Sequence, residues 1–133
     1  MSQENVEIVR RALEVFQREN TAGSFAGLLA EDFELQPAFE VAGGDSFIGG
    51  DGFTRFMSQW TESFDDWAFE TLELFDAGDN VVARIRQRAR GKASGTPVDL
   101  VFGMVFRLRA HLIARMELYI TEAEAFKAAG LAE

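Results

Sequence analysis

Val6, Val9, Leu13 and Phe16 recur at steps of three and four, with Ile8, Ala12 and Val15 beside them. This is the spacing of one buried helical face, and it predicts a helix over residues 3–19 with Ser2 as its N-cap. Phe25, Leu28 and Leu29 share a face, which predicts a short second helix over 24–29, and residues 33–36 read as a brief strand. The stretch PAFEVAGGDSFIGG has many glycines and no helical period, so it reads as loop with a short strand around Phe47. Asp51 is placed to cap a further helix, in which Phe53, Phe56, Met57, Trp60 and Phe64 make an aromatic stripe over 52–64 that should face a sheet. From Trp67 the period changes to two: WAFETLELF, the DAGDN turn, VVARIRQRAR, the GKASGTP loop, then VDLVFGMVFRLR and LIARMELYI. These are four long antiparallel strands. Thr121 and Glu124 form a capping box for a terminal helix whose face is Ala123, Phe126 and Ala129, stopped by Gly130. Helices first and a curved antiparallel sheet afterwards predict an α+β fold, one domain over residues 1–133.

The last two strands carry the best lead to chemistry. With Ala110 and His111 as a two-residue turn, antiparallel pairing sets Arg109 against Leu112, Phe106 against Arg115, Met104 against Glu117 and Phe102 against Tyr119. One face then collects Phe102, Met104, Phe106, Ile113, Arg115, Glu117 and Tyr119, and the other Val101, Gly103, Val105, Ala114, Met116 and Leu118. Both faces are largely apolar, so the hairpin should lie between a helical layer and a second surface. A homodimer through Val101, Val105, Met116 and Leu118 would supply that surface. Glu117 is left as a carboxylate among apolar neighbours.

Composition narrows the function classes. A chain of 133 residues can bury a core without disulfides or a structural metal, and the absence of cysteine removes thiolate ligands and a cysteine nucleophile. A net charge of −9 opposes nucleic acids and anionic membranes as partners. The first twenty residues carry charges throughout, so the expectation is a soluble, cytoplasmic protein. Thirteen phenylalanines and two tryptophans suit a thick core or an apolar cavity. One histidine, His111 in a turn, and no calcium-loop spacing leave no metal and no cofactor expected.

The segments SQENVEIVRRALEVF, FIGGDGFTRFM, DAGDNVVARIR, SGTPVD and ARMELYITEAEAFKAAGL resemble the SnoaL-like family of the nuclear transport factor 2 superfamily, related to ketosteroid isomerase and limonene epoxide hydrolase. The resemblance implies a cone-shaped sheet wrapped around the N-terminal helices, with a ligand inside the cone. It does not imply one activity, because isomerases, cyclases, hydrolases and non-catalytic binding modules share this scaffold. The positions matching the ketosteroid isomerase polar groups are Phe16, the Phe39/Glu40 region and Met104, so two of the three groups are missing. The Arg-x-Asp pair of the epoxide hydrolase is absent from VVARIRQRAR. Glu117 matches the acid/base carboxylate that SnoaL-type polyketide cyclases place on the last strand.

Two readings follow. In the first, the protein is an isomerase, cyclase or hydrolase in which Glu117 transfers a proton on a small apolar organic substrate, and Arg115, Tyr119 or the Trp60 indole steadies developing negative charge. Phe16, Phe33, Phe56, Trp60 and Phe64, together with Phe102, Met104 and Phe106, would bind that molecule. Asp32 and Glu34, near the cone mouth, are second-rank candidates for acid/base work. In the second, the pocket belongs to a non-catalytic ligand-binding or protein-interaction module, and Glu117 is an ion-pair partner closing the sheet surface. Arg84, Arg86, Arg88 and Arg90 share one strand face, and solvated or interface roles fit four cations better than burial.

Overall fold

A computed structural model of the protein describes residues 2–19, 27–37 and 47–131. Helix α1 (Ser2–Glu19) is followed by β1 (Leu29–Pro37), β2 (Phe47–Ile48), α2 (Gly49–Glu62), β3 (Phe64–Ala77), β4 (Asn80–Gly91), β5 (Pro97–Arg109), β6 (Leu112–Tyr119) and α3 (Glu122–Ala128). The short helix expected over 24–29 falls largely outside the described residues. Within them Gly27 and Leu28 make a turn and Leu29 already opens β1. The Phe39/Glu40 region also lies outside them.

The six strands form one mixed sheet in the order β2-β1-β6-β5-β4-β3, with β1 parallel to β6 and the other pairs antiparallel. Helices α1 and α2 fill its concave side. Val9, Ala12, Leu13 and Phe16 of α1 and Phe53 and Phe56 of α2 are buried there with Phe33, Leu35, Val81, Ile85 and Phe106 of the sheet. Burial on this scale, about 25 cal/mol per Å² of apolar surface, is what holds the two layers together. Asp51 is not the cap of α2. The helix starts two residues earlier behind Ile48, and Asp51 places its charge in the first turn, where the helix dipole favours an anion. Gly52 is required at its position, since a Cβ there would stand 2.7 Å from the Phe47 carbonyl carbon.

The second surface of the hairpin comes from the chain itself. Helix α3, capped by the Thr121 hydroxyl accepting from the Glu124 amide, packs on the convex side through Ala125 against Val82 and Val105. It lies so close that a Cβ on Gly103 would meet the Ala125 Cβ at 2.5 Å.

The hairpin register departs from expectation by one residue. Ala110 (φ 52) and His111 (φ 67) do form a two-residue turn with both residues left-handed, and Arg109 pairs with Leu112. Beyond that, Leu108 pairs with Ile113 but Arg107 with Arg115, so Ala114 is an extra residue, a β-bulge. Phe106 therefore faces Met116, Met104 faces Leu118, Val105 faces Glu117 and Gly103 faces Tyr119. Because a one-residue slip exchanges the two faces, Met116 and Leu118 point into the cone with Phe102, Met104 and Phe106. Arg115, Glu117 and Tyr119 join Arg107 on the convex side. The four residues expected to make a dimer face are thus split: Val101 and Val105 are convex, Val105 fully covered by α3, while Met116 and Leu118 are inside.

Candidate ligand site in the cone

Strand β4 alternates cleanly. Val81, Ala83, Ile85 and Gln87 are buried and point inward, while Arg84, Arg86, Arg88 and Arg90 point outward. The arginines are held at the surface: Arg84 pairs with Glu122 at 2.7 Å, Arg86 forks onto Asp99 at 2.8 and 2.6 Å, Arg88 lies 4.0 Å from Glu70, and Arg90 donates to the Gly95 carbonyl.

Gln87, 1% exposed, is the polar residue at the heart of the cone. Its Oε1 accepts hydrogen bonds from the indole N–H of Trp60 on α2 at 2.6 Å and of Trp67 on β3 at 2.9 Å. An indole can only donate, so the atom on which two indoles converge must be the carbonyl oxygen. The amide nitrogen is thereby turned the other way, and it is buried with no hydrogen-bond partner. A second bulge positions Trp67. Asp65 pairs with Arg90 and Ala68 with Arg88, leaving one extra residue in β3, where Asp66 adopts φ 55. A left-handed conformation is uncommon for a residue with a side chain, though asparagine and aspartate tolerate it best.

Around the amide lies an apolar cavity of about 60 Å³ walled by Phe16, Phe56, Trp60, Trp67, Phe69, Ile85, Phe102 and Met104 among others. Phe16, Trp67 and Phe69 pack on one another with ring centroids 5.1–6.0 Å apart. A second apolar recess of about 160 Å³, bounded by Leu100 and Ile120, shares Trp60, Phe102 and Leu118 with it. Leu100 and Ile120 are exposed, so this recess reaches the surface.

Of the residues expected to bind a ligand, Phe16, Phe56, Trp60, Phe102 and Met104 line the cavity. Phe33 and Phe106 are packed wholly into the core beside it. Phe64 borders a separate groove with Thr54, Thr61 and Trp67. The residues expected to do the chemistry lie on the other side of the sheet. The Glu117 side chain, 8% exposed, accepts from Arg107 at 2.8 and 3.1 Å, from Arg115 at 2.7 Å and from the Tyr119 hydroxyl at 2.8 Å. Burial pushes its pKa up, but the hydrogen bonds from Arg107, Tyr119 and Arg115 outweigh this and hold it below the ordinary glutamate value. Burial and the bond to Glu117 push the Tyr119 phenol up to about 12. Glu34 and Gln36 complete the network by accepting from Arg115, each at 2.9 Å. Glu34 and Asp32 are therefore not at the cone mouth; the Asp32 carboxylate is exposed and pairs with Arg109. His111 is also at the surface, 3.1 Å from Glu4.

Gln87 is not among the candidates that the sequence singles out. Its signal was present: if four arginines of β4 face outward, the interleaved positions face inward, and Gln87 is the polar one among Val81, Ala83 and Ile85. Among the described residues no group of His, Asp or Glu side chains could hold a metal ion, and no helix is long and apolar enough to cross a membrane.

An α+β sheet curved around two helices, with an apolar interior, defines a protein of the nuclear transport factor 2-like type. More narrowly, residues 9–116 match the SnoaL-like domain, and the chain belongs to that family. Solved structures agree on the fold. A SnoaL-like polyketide cyclase, so named provisionally, from Jannaschia sp. CCS1 superposes with TM-score 0.76 at 20% identity over 99% of this chain and 94% of that one. A hypothetical protein with ketosteroid isomerase-like fold from Catenulispora acidiphila DSM 44928, in complex with trimethylamine, gives 0.71 at 18% identity over 94% and 93%. TerC, co-crystallised with polyporic acid, gives 0.75 at 18% identity over 96% and 98%. No curated protein matches the chain.

Proposed function

We propose that this protein binds a small, mostly apolar organic molecule inside the cone, and that the cone is a binding site without committed acid/base chemistry. The observation that carries the reading is Gln87: a buried amide fixed by two tryptophans with its nitrogen unsatisfied, at the wall of an apolar cavity. Buried polar groups in folded proteins are nearly always paired, so an unpaired one on a residue in a cavity wall is an invitation to a ligand. The described lining offers no group that titrates in the ordinary range, which sets this reading above proton transfer by Glu117. Glu117 serves instead as the hub that keeps Arg107 and Arg115, directly opposed across β5 and β6, from repelling each other. Two proteins of this fold have been solved with small organic molecules, trimethylamine and polyporic acid, which supports reading this one as a small-molecule binder.

Trp60 and Trp67 are the only tryptophans of the chain, so indole fluorescence reports on the site directly. Titration with ethylbenzene should give a saturable change, and Ile85→Phe, which fills the cavity, should abolish it while leaving the far-ultraviolet dichroism intact. An unsaturable response, or one that persists in the filled variant, rejects the cone as the site.

A further inference from the structure

We infer that Gln87 sets the polarity of the ligand: the cone selects molecules carrying an oxygen acceptor, of the ketone, quinone or lactone class, and rejects ammonium ligands. This rests on the cone being the binding site and adds what that site recognises. A glutamine side chain is ambivalent, since it can present either its oxygen or its nitrogen. Here the choice is removed. Trp60 and Trp67 at 2.6 and 2.9 Å occupy the oxygen, so the two N–H bonds of Nε2 are what remains to offer, and they are buried without a partner. Gln87 stands in the cavity wall, so a carbonyl oxygen bound against it accepts from one of these bonds; a hydrocarbon leaves both as they are.

The aromatic walls alone would suggest the opposite ligand, because ring faces attract cations. The arrangement of the rings argues against it. Phe16, Trp67 and Phe69 spend their faces and edges on each other, with interplanar angles of 70°, 40° and 37° for the three pairs, and Trp60 stacks on Phe56 at 16°. The two indole N–H groups are spent on Gln87 Oε1, so the donors left over are the N–H bonds of Nε2. An ammonium group brought beside Nε2 meets the positive end of that dipole, and the described lining supplies no carboxylate to neutralise it. An acceptor oxygen gains from the same N–H bonds.

Three ligands of similar shape separate these possibilities: acetophenone, ethylbenzene and protonated 1-phenylethylamine, each titrated against indole fluorescence. The expected order in the unaltered protein is acetophenone about 10-fold tighter than ethylbenzene, the scale of one buried hydrogen bond, with the ammonium weakest. In Gln87→Leu the ketone preference should fall to about 1-fold while ethylbenzene still binds. Gln87→Glu, whose carboxylate can accept from both indoles and still face the cavity with negative charge, should turn the preference toward the ammonium. Should Gln87→Leu fail to fold, the order in the unaltered protein and in Gln87→Glu decides the matter. Equal affinities for acetophenone and ethylbenzene, or an ammonium preference in the unaltered protein, overturn the assignment while leaving the cone a binding site. If none of the three binds saturably, the cone itself is rejected and this inference goes with it.

Discussion

Each face of the sheet carries a buried polar centre, Glu117 on one side and Gln87 on the other, and the two are built on opposite principles. On the convex face Glu117 is saturated: two guanidinium groups and a phenol donate to its oxygens, and each arginine has further acceptors in Glu34, Gln36 or the Ala128 carbonyl. On the concave face Gln87 is half satisfied, with its oxygen doubly used and its nitrogen vacant of partners. A closed network specifies structure; an open one leaves bonding capacity for something else. Charge type alone would have ranked them the other way, since a buried carboxylate is the more familiar sign of chemistry.

The largest test of this contrast is Glu117→Ala. Removing the hub leaves Arg107 and Arg115 opposed and unpaired, and should cost about 2–3 kcal/mol in urea unfolding, below the ~3–5 kcal/mol of a fully buried pair because both arginines are about a third exposed. A loss under about 0.5 kcal/mol would show that the convex network does not hold the sheet. Gly103→Ala probes the same face from α3. The clash at 2.5 Å with Ala125 should lift the helix and cost about 1–3 kcal/mol; an unchanged urea midpoint would mean α3 is not docked as described. Gln87→Leu deprives both indoles of their acceptor and should cost about 1–2 kcal/mol, a smaller loss than at Glu117 although Gln87 is the more buried residue.

The smallest effect in energy is the most specific in readout. Tyr119 is the chain's single tyrosine, so ultraviolet titration reads it alone. Its phenolate should form near pH 12 rather than at the ordinary 10.0, and Glu117→Gln should bring the midpoint down. The sign for stability follows: a folded-state pKa above the unfolded one contributes stability that is complete below pH 10 and lost as pH rises toward 12. Glu117, held low, acts in the other direction. Its contribution is complete above the ordinary glutamate value of 4.5 and drains away as pH falls through its lower folded value. Ordinary titration of Tyr119 near pH 10 would break the link between the phenol and Glu117.

Much of this was legible from the chain. Residue spacing marked α1, α2, the four long strands and the Thr121 capping box, because amphipathic periods are written one residue at a time. The aromatic wall of the cone followed from the same spacing. What spacing could not supply was the phase of β6. Ala114 looks like any other strand residue, and a bulge carries no local signature unless it needs a glycine. Plain alternation of Ile113, Arg115, Glu117 and Tyr119 reads as one face, whereas in the fold it straddles two. The same blind spot hid Trp67, whose orientation depends on the extra residue at Asp66. Gln87 was within reach, because the arginine stripe on β4 fixes that strand's phase without any knowledge of bulges.

The bulge at Ala114 has an evolutionary and an engineering side. Strand phase behaves like a reading frame, and one codon at position 114 sets which half of β6 is read into the interior. Excising that codon would, by geometry alone, turn Arg115, Glu117 and Tyr119 inward and Met116 and Leu118 outward. An aromatic chamber and one furnished with a carboxylate, a guanidinium and a phenol are thus neighbours in sequence space, separated by a deletion rather than by a series of substitutions. On a scaffold shared by so many unrelated chemistries, length changes within strands are as direct a route to a new interior as replacement of the residues that line it.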